Sequence, residues 1–192
     1  TVTSGTGNVG IGNDVLTVNT GSNNTAVGYQ AGTANTTGAG NVAVGSQALD
    51  ANTTGTENSA FGKNALGANT TASGNAAFGN FSANANTTGI GNAAFGGATP
   101  AVTNATLMSN TTGSYNTAIG IAALAQNTTA SNNTAVGYKA GYANTTGGNN
   151  NFFGFQAGQA NTTADSNTAM GHNTFSANTT GAGNCAFGIQ TL

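Results

Sequence analysis

The chain has 192 residues, among them 31 Gly, one Pro, one Cys and no Trp, and only two Lys/Arg against four Asp/Glu. A typical soluble domain is about 25% charged, so at 3% solubility rests on the neutral amides and hydroxyls of Asn and Thr. A formal charge of −2 with two scattered lysines argues against a nucleic-acid partner, because phosphate affinity needs clustered cations, and the scarcity of ionisable groups disfavours catalysis.

From the N-terminus, TVTSGTGNVG lacks the basic and apolar regions of a secretion signal. No later stretch approaches the ~18 apolar residues of a membrane span, so no membrane insertion is expected. A pentapeptide Asn-x-Ala-apolar-Gly then begins at Asn24, Asn41, Asn58, Asn75, Asn92, Asn116, Asn133, Asn167 and Asn184. Degenerate copies start at Asn8, with Gly10 for Ala, and at Asn150, with Phe152 for Ala. The spacings are 16, then 17 four times, 24, and 17 four times. Drift in a low-complexity tract does not hold such a phase, so residues 1–192 read as one repeat array.

Counting the repeat Asn as position zero, a second Asn falls eleven residues on, at Asn19, Asn35, Asn52, Asn69, Asn86, Asn127, Asn144, Asn161 and Asn178, with Asn110 in that role after the long interval. The long interval adds seven residues between Gly97 and Asn110 and carries Pro100. It predicts a loop at about residues 98–109, bulging from a regular stack.

A 17-residue unit is too short for the helix pairs of other solenoids, which need over about thirty residues. Its Gly, Asn and Thr are also poor helix interiors. The spacing predicts an all-β fold, a parallel β-solenoid or β-roll of about eleven coils, stacked at about 4.8 Å. Alternation in Asn24–Tyr29 puts Thr25, Val27 and Tyr29 on one face and Asn24, Ala26 and Gly28 on the other. By bulk and apolarity, the expected core ladder is Val27, Val44, Phe61, Phe78, Phe95, Ile119, Val136, Phe153, Met170 and Phe187. The Ala and Gly columns of the other face become the expected surface for oligomerisation. A second core column is expected eight residues after each repeat Asn, at Leu16, Leu49, Leu66, Leu124, Phe175 and Leu192.

The two Asn columns read first as turn residues at opposite corners of each coil, stacking amide on amide. Asn-Thr-Thr, which recurs nine times from Asn35 to Asn178, is also an N-glycan acceptor pattern; acceptors about 4.8 Å apart would crowd their sugars, which leaves sparse glycosylation or sugars on the Thr hydroxyls as the alternative. Thr-rich solenoids raise ice binding as a remote alternative, weakened because adjacent threonines of an extended strand point to opposite sides. A candidate binding loop is formed by Pro100, Asn104, Leu107 and Met108, facing a receptor or carbohydrate. His172 occupies a position that is Tyr29, Ser46, Lys63, Asn80, Ile121 or Tyr138 in other repeats, the mark of a variable rim residue rather than a general base. Cys185 replaces a small residue and has no intrachain partner. No metal-ligand spacing or cofactor motif is present in the sequence, and no enzyme activity is expected.

The motifs Asn24-Thr-Ala-Val-Gly28, Asn116-Thr-Ala-Ile-Gly120 and Asn133-Thr-Ala-Val-Gly137 resemble the head repeats of trimeric autotransporter adhesins and related repeats in tail fibres of bacterial viruses. The resemblance covers nearly the whole chain, although adhesin head repeats are usually shorter. It implies a left-handed roll, a homotrimer and a role in attachment. A copy following Leu192 would continue the phase, with Asn184 and the next Asn8 16 residues apart. The expectation is therefore a structural subunit of an extracellular, cell-surface or virion fibre whose partner is itself, as a homotrimer, a head-to-tail filament or both.

Overall fold

A computed structural model of the chain describes residues 4–99 and 103–191, so Pro100 and Leu192 lie outside the described residues. Eleven strands follow one another: β1 (Val9–Ile11), β2 (Thr25–Val27), β3 (Val42–Val44), β4 (Ser59–Phe61), β5 (Ala76–Phe78), β6 (Ala93–Phe95), β7 (Thr117–Ile119), β8 (Thr134–Val136), β9 (Asn151–Phe153), β10 (Thr168–Met170) and β11 (Cys185–Phe187). All pair in parallel and in sequence order, giving one sheet and a β-solenoid. No helix occurs among the described residues.

Register follows the repeat. Val27 pairs with Val44 and Val44 with Phe61. Across the long interval Ala93 still pairs with Thr117, so the extra residues do not shift the register. Outside the sheet, successive coils are also joined through turn backbone, as in Gln47 N–H to the Tyr29 carbonyl at 2.8 Å and Thr53 N–H to the Thr70 carbonyl at 2.8 Å.

The stacking is as the sequence implies, but the inside and outside of the strand are reversed. Ala26, Ala43, Ala60, Ala77, Ala94, Ala118, Ala135, Ala169 and Ala186 are buried. The expected core ladder instead faces outward. Phe61, Phe95, Ile119, Met170 and Phe187 are exposed, Phe187 at 59%, while Val27, Val44, Phe78, Val136 and Phe153 are half-buried. Parity explains the reversal: the repeat Asn and the strand Ala share a face, and the Asn amide needs partners that only the inside of the coil supplies. With two amides per coil inside, a methyl fits at the strand centre and a Phe in every rung does not. The Ala column is therefore not an oligomerisation surface.

The second column does fill the interior. Leu16, Leu49, Leu66, Leu124 and Phe175 are buried, and Leu107 joins them. These side chains enter from left-handed backbone, with φ of 50° at Leu49 and 49° at Leu124. The Gly closing each strand lies further out, at φ 133° for Gly28 and 135° for Gly45, where a side chain is strained. A Cβ on Gly28 would also sit 2.6 Å from the Gly45 carbonyl oxygen.

One coil departs from the pattern and its neighbours compensate. Phe152 stands where other coils carry Ala, yet it is fully buried. The Leu position is Gly in its own coil, Gly158, and in the preceding one, Gly141. A Cβ on Gly141 would lie 2.7 Å from Phe152 Cδ2, and one on Gly158 would collide with Phe152 Cδ1. Backbone conformation is not the obstacle, since Leu49 holds a φ of 50° at the equivalent place against 61° for Gly158. Phe152→Ala alone is expected to lower stability by about 3–5 kcal/mol through the cavity it opens. Phe152→Ala combined with Gly141→Leu and Gly158→Leu is expected to recover most of that loss in urea unfolding, and additive losses in the triple variant would refute the compensation.

Candidate functional site

The most ordered chemistry in the molecule lies inside it. In each regular coil two Asn side chains converge on one backbone carbonyl: Asn24 Nδ2 donates to Gly38 O at 2.9 Å and Asn35 Nδ2 to the same oxygen at 2.8 Å. The next coil repeats this with Asn41 and Asn52 on Gly55 O at 2.8 and 3.0 Å. Between coils, Asn41 N–H donates to Asn24 Oδ1 at 2.9 Å, and Asn52 Nδ2 donates to Asn35 Oδ1 at 2.7 Å. The expected Asn ladders at Asn24, Asn41, Asn58, Asn75, Asn92, Asn116, Asn133, Asn150 and Asn167, and at Asn35, Asn52, Asn69, Asn86, Asn110, Asn127, Asn144 and Asn161, are all buried, while Asn178 and Asn184 near the last coil are half-buried. They are not corner residues at opposite ends of a coil but two files meeting in its middle.

That geometry corrects the N-linked glycan expectation. An N-linked sugar needs a free, accessible Nδ2, and in each Asn-Thr-Thr this nitrogen is committed twice, as in Asn69 to Asn52 Oδ1 at 2.8 Å and to Ala72 O at 3.1 Å. Even the half-buried Asn178 spends its Nδ2 on Asn161 Oδ1 and Gly181 O. The threonines behave differently. The first of each pair from Thr36 to Thr162 donates its hydroxyl to the next coil, as Thr36 Oγ1 does to Thr53 O at 2.9 Å, and the second is exposed.

Two exterior features bear on binding. The bulky ladder makes an apolar stripe along the outer sheet face, in which Phe61, Phe78 and Phe95 stack with ring centroids 4.7 and 4.8 Å apart. Beside it Tyr138, Phe155 and His172 stack at 5.4 and 5.0 Å. Along both files the ring faces are turned to one another, so solvent meets mainly edges. His172 is thus the rim residue expected from its variability, and Cys185 is exposed on the outer strand face.

The candidate binding loop is only partly a loop. Leu107 is fully buried in the interior column, and Ala105 and Thr106 are buried with it. The coil resumes at Ala105, which narrows the insertion to residues 98–104. Asn104 is half-buried and donates to the Tyr142 hydroxyl at 2.6 Å. Half-buried Met108 lines a groove of about 420 Å³ with Asn80, Phe81, Ala98, Thr99 and Thr103. Lys63 Nζ stands 5.9 Å from the centroid of the Phe81 ring. Pro100 lies outside the described residues.

Among the described residues no group of His, Cys, Asp and Glu could hold a metal ion, and no helix is long and apolar enough to cross a membrane. No family model, curated protein or solved structure matches the chain.

The buried amides give a direct test. Asn69→Asp keeps the shape but turns a double donor into an acceptor aimed at two acceptors, so a loss of about 3 kcal/mol or more is expected in urea unfolding at neutral pH. Thr71→Ala on the exposed surface is expected to stay within about 0.5 kcal/mol of the parent.

Asp50 provides a pH test. Burial raises its pKa above the usual carboxylate value, against an opposing pull from the backbone N–H groups of Asp50 and Ala51. A raised folded-state pKa means the folded chain holds the proton more tightly. The contribution to stability is then fully present below the unfolded pKa and lost as pH rises through the folded one. Asp50→Asn is expected to raise the unfolding midpoint at neutral pH, with the gain vanishing in acid below the ordinary carboxylate range. A gain independent of pH would overturn this account.

Proposed function

We propose that this chain is a structural subunit of an extracellular or virion fibre, non-enzymatic, with attachment as an added property, in line with its resemblance to adhesin head and tail-fibre repeats. The observation that carries the reading is the unbroken ladder from β1 to β11, in which strands, turns and internal amides all bond coil to coil. Such a rod bends only by straining several hydrogen bonds at each step. Its partner in this reading is itself, as a homotrimer, a head-to-tail filament or both, at a cell surface or on a virion.

A second reading is favoured by the groove beneath the insertion: a receptor- or carbohydrate-binding module acting through residues 98–104, Met108 and Phe81. Asn104, tied to Tyr142 two coils on, would present its remaining polar atoms beside that groove. One deletion separates the readings. Removing residues 98–104 restores the 17-residue phase between Asn92 and Asn116, so rods of unchanged width, about 50 Å long per chain, are expected by electron microscopy. Unchanged adhesion to cells and glycan arrays supports the plain shaft, whereas lost adhesion with rods intact supports the binding module. Compact particles from the parent chain would overturn the fibre reading.

A further inference from the structure

Resting on the groove reading above, we infer that the ligand of the groove beside the insertion is an acidic saccharide, its carboxylate held by Lys63 and its ring by Phe81 and Asn80. Lys63, on the coil that begins at Asn58, is exposed and has no ion pair among the described residues. Its place in the stack puts it next to the groove. Phe81 N–H donates to the Lys63 carbonyl at 2.9 Å, and Ala98 N–H to the Asn80 carbonyl at 2.9 Å, so Lys63, Asn80 and the start of the insertion follow one another on successive coils. Phe81 joins the two features: its ring lines the groove and also carries the Lys63 ammonium, with Nζ 5.9 Å from the centroid.

Charge and lining identify the ligand class. From residue 58 to residue 164 the chain has no Asp or Glu, and its only charged residues are Lys63 and Lys139. The whole chain carries −2, yet the stretch that holds the groove is cationic, and a groove of one sign concentrates ligands of the other. One ammonium is a point charge with three donors. It suits a single carboxylate, whereas a nucleic acid needs clustered cations. The lining is mixed, with apolar Phe81, Ala98 and Met108 beside uncharged polar Asn80, Thr99 and Thr103. The Asn80 amide is exposed and makes no hydrogen bond among the described residues. A sugar ring offers C–H surface to the first group and hydroxyls to the second. A fatty or aromatic acid would bring no partner for the amide, and polar groups covered without partners are costly. At about 420 Å³ the groove is within the range of about 300–1,000 Å³ of small-ligand sites.

The other lysine supplies the control. Lys139 lies four coils beyond Lys63, about 19 Å along the rod, with its Nζ 5.5 and 5.4 Å from the ring centroids of Tyr138 and Tyr142. That separation exceeds the Debye length of about 8 Å at physiological salt, so Lys139→Gln removes the same charge without touching the site. On an array of acidic and neutral saccharides, the full parent chain is expected to favour carboxylated members. Calorimetry with a favoured sugar and its carboxyl-reduced counterpart is expected to show a preference of about 10-fold or more for the acid, as a charge-assisted contact implies, and the preference is expected to shrink as salt is raised. Lys63→Gln is expected to abolish the preference, with the affinity for the reduced sugar and the β circular-dichroism spectrum unchanged. If that spectrum is lost, Lys63→Met takes its place with the same expectation. Lys139→Gln is expected to stay within about twofold of the parent. Equal binding of acidic and reduced sugars overturns the inference, as does a folded Lys63 variant that keeps the preference, or a loss in Lys139→Gln as large as in Lys63→Gln. In each of these cases sugar binding that disappears on deletion of residues 98–104 leaves the groove reading standing, while a parent chain that binds no saccharide on the array sinks the groove reading and the inference together.

Discussion

Each regular coil of this protein is closed around one carbonyl group. The oxygen of Gly38, and its counterparts at Gly55, Ala72 and Gly89, accepts from two Asn side chains that are eleven residues apart in sequence. Buried amides without partners are costly, so this arrangement fixes the circumference: both Asn must return to the same place on each turn. The 17-residue period is the chain length that brings them back. Because each amide oxygen accepts from the coil above, the same groups that close a coil also set its position on the next. A polar interior therefore does here what an apolar core does in most domains, and it does so with directional bonds.

The other interior choices follow. The two amides leave space for a methyl group at the strand centre and one branched side chain across from it, hence the Ala and Leu columns. Where the chain places Phe152 at the strand centre, the nearby Leu positions shrink to Gly141 and Gly158, so volume is conserved between coils rather than within one. The large side chains are left for the exterior, where stacking at 4.7–4.8 Å between Phe61, Phe78 and Phe95 matches the rise of the sheet.

Period, strand positions, parallel register and the Leu column were legible in the sequence because they depend on spacing, and spacing is local. The direction of the strand faces does not follow from bulk, although parity carries its signal. Asn24 and Ala26 share parity, and an Asn that recurs in every coil must find hydrogen bonds in every coil, which is possible at full strength only in the interior. Ranking faces by bulk set Val27 and Phe61 inside and reversed the result. The Asn-Thr-Thr pattern misled for a related reason: a three-residue motif records chemistry without burial, and only the converging geometry reveals that the nitrogen is occupied. The long interval hides where the coil resumes, so spacing alone places Leu107 in a loop. The Leu column, continued by one repeat from Leu124, would have located it.

The insertion after Gly97 leaves the pairing of β6 with β7 untouched, with Ala94 opposite Ala118 as in any other rung. The corner between the strand and the Leu position therefore accommodates seven extra residues without a shift of register. Nine other such corners recur among the described residues, one per rise of about 4.8 Å. The molecule is thus a ruler with sockets: foreign peptides grafted at chosen corners would be held at defined, evenly stepped separations along a rigid edge.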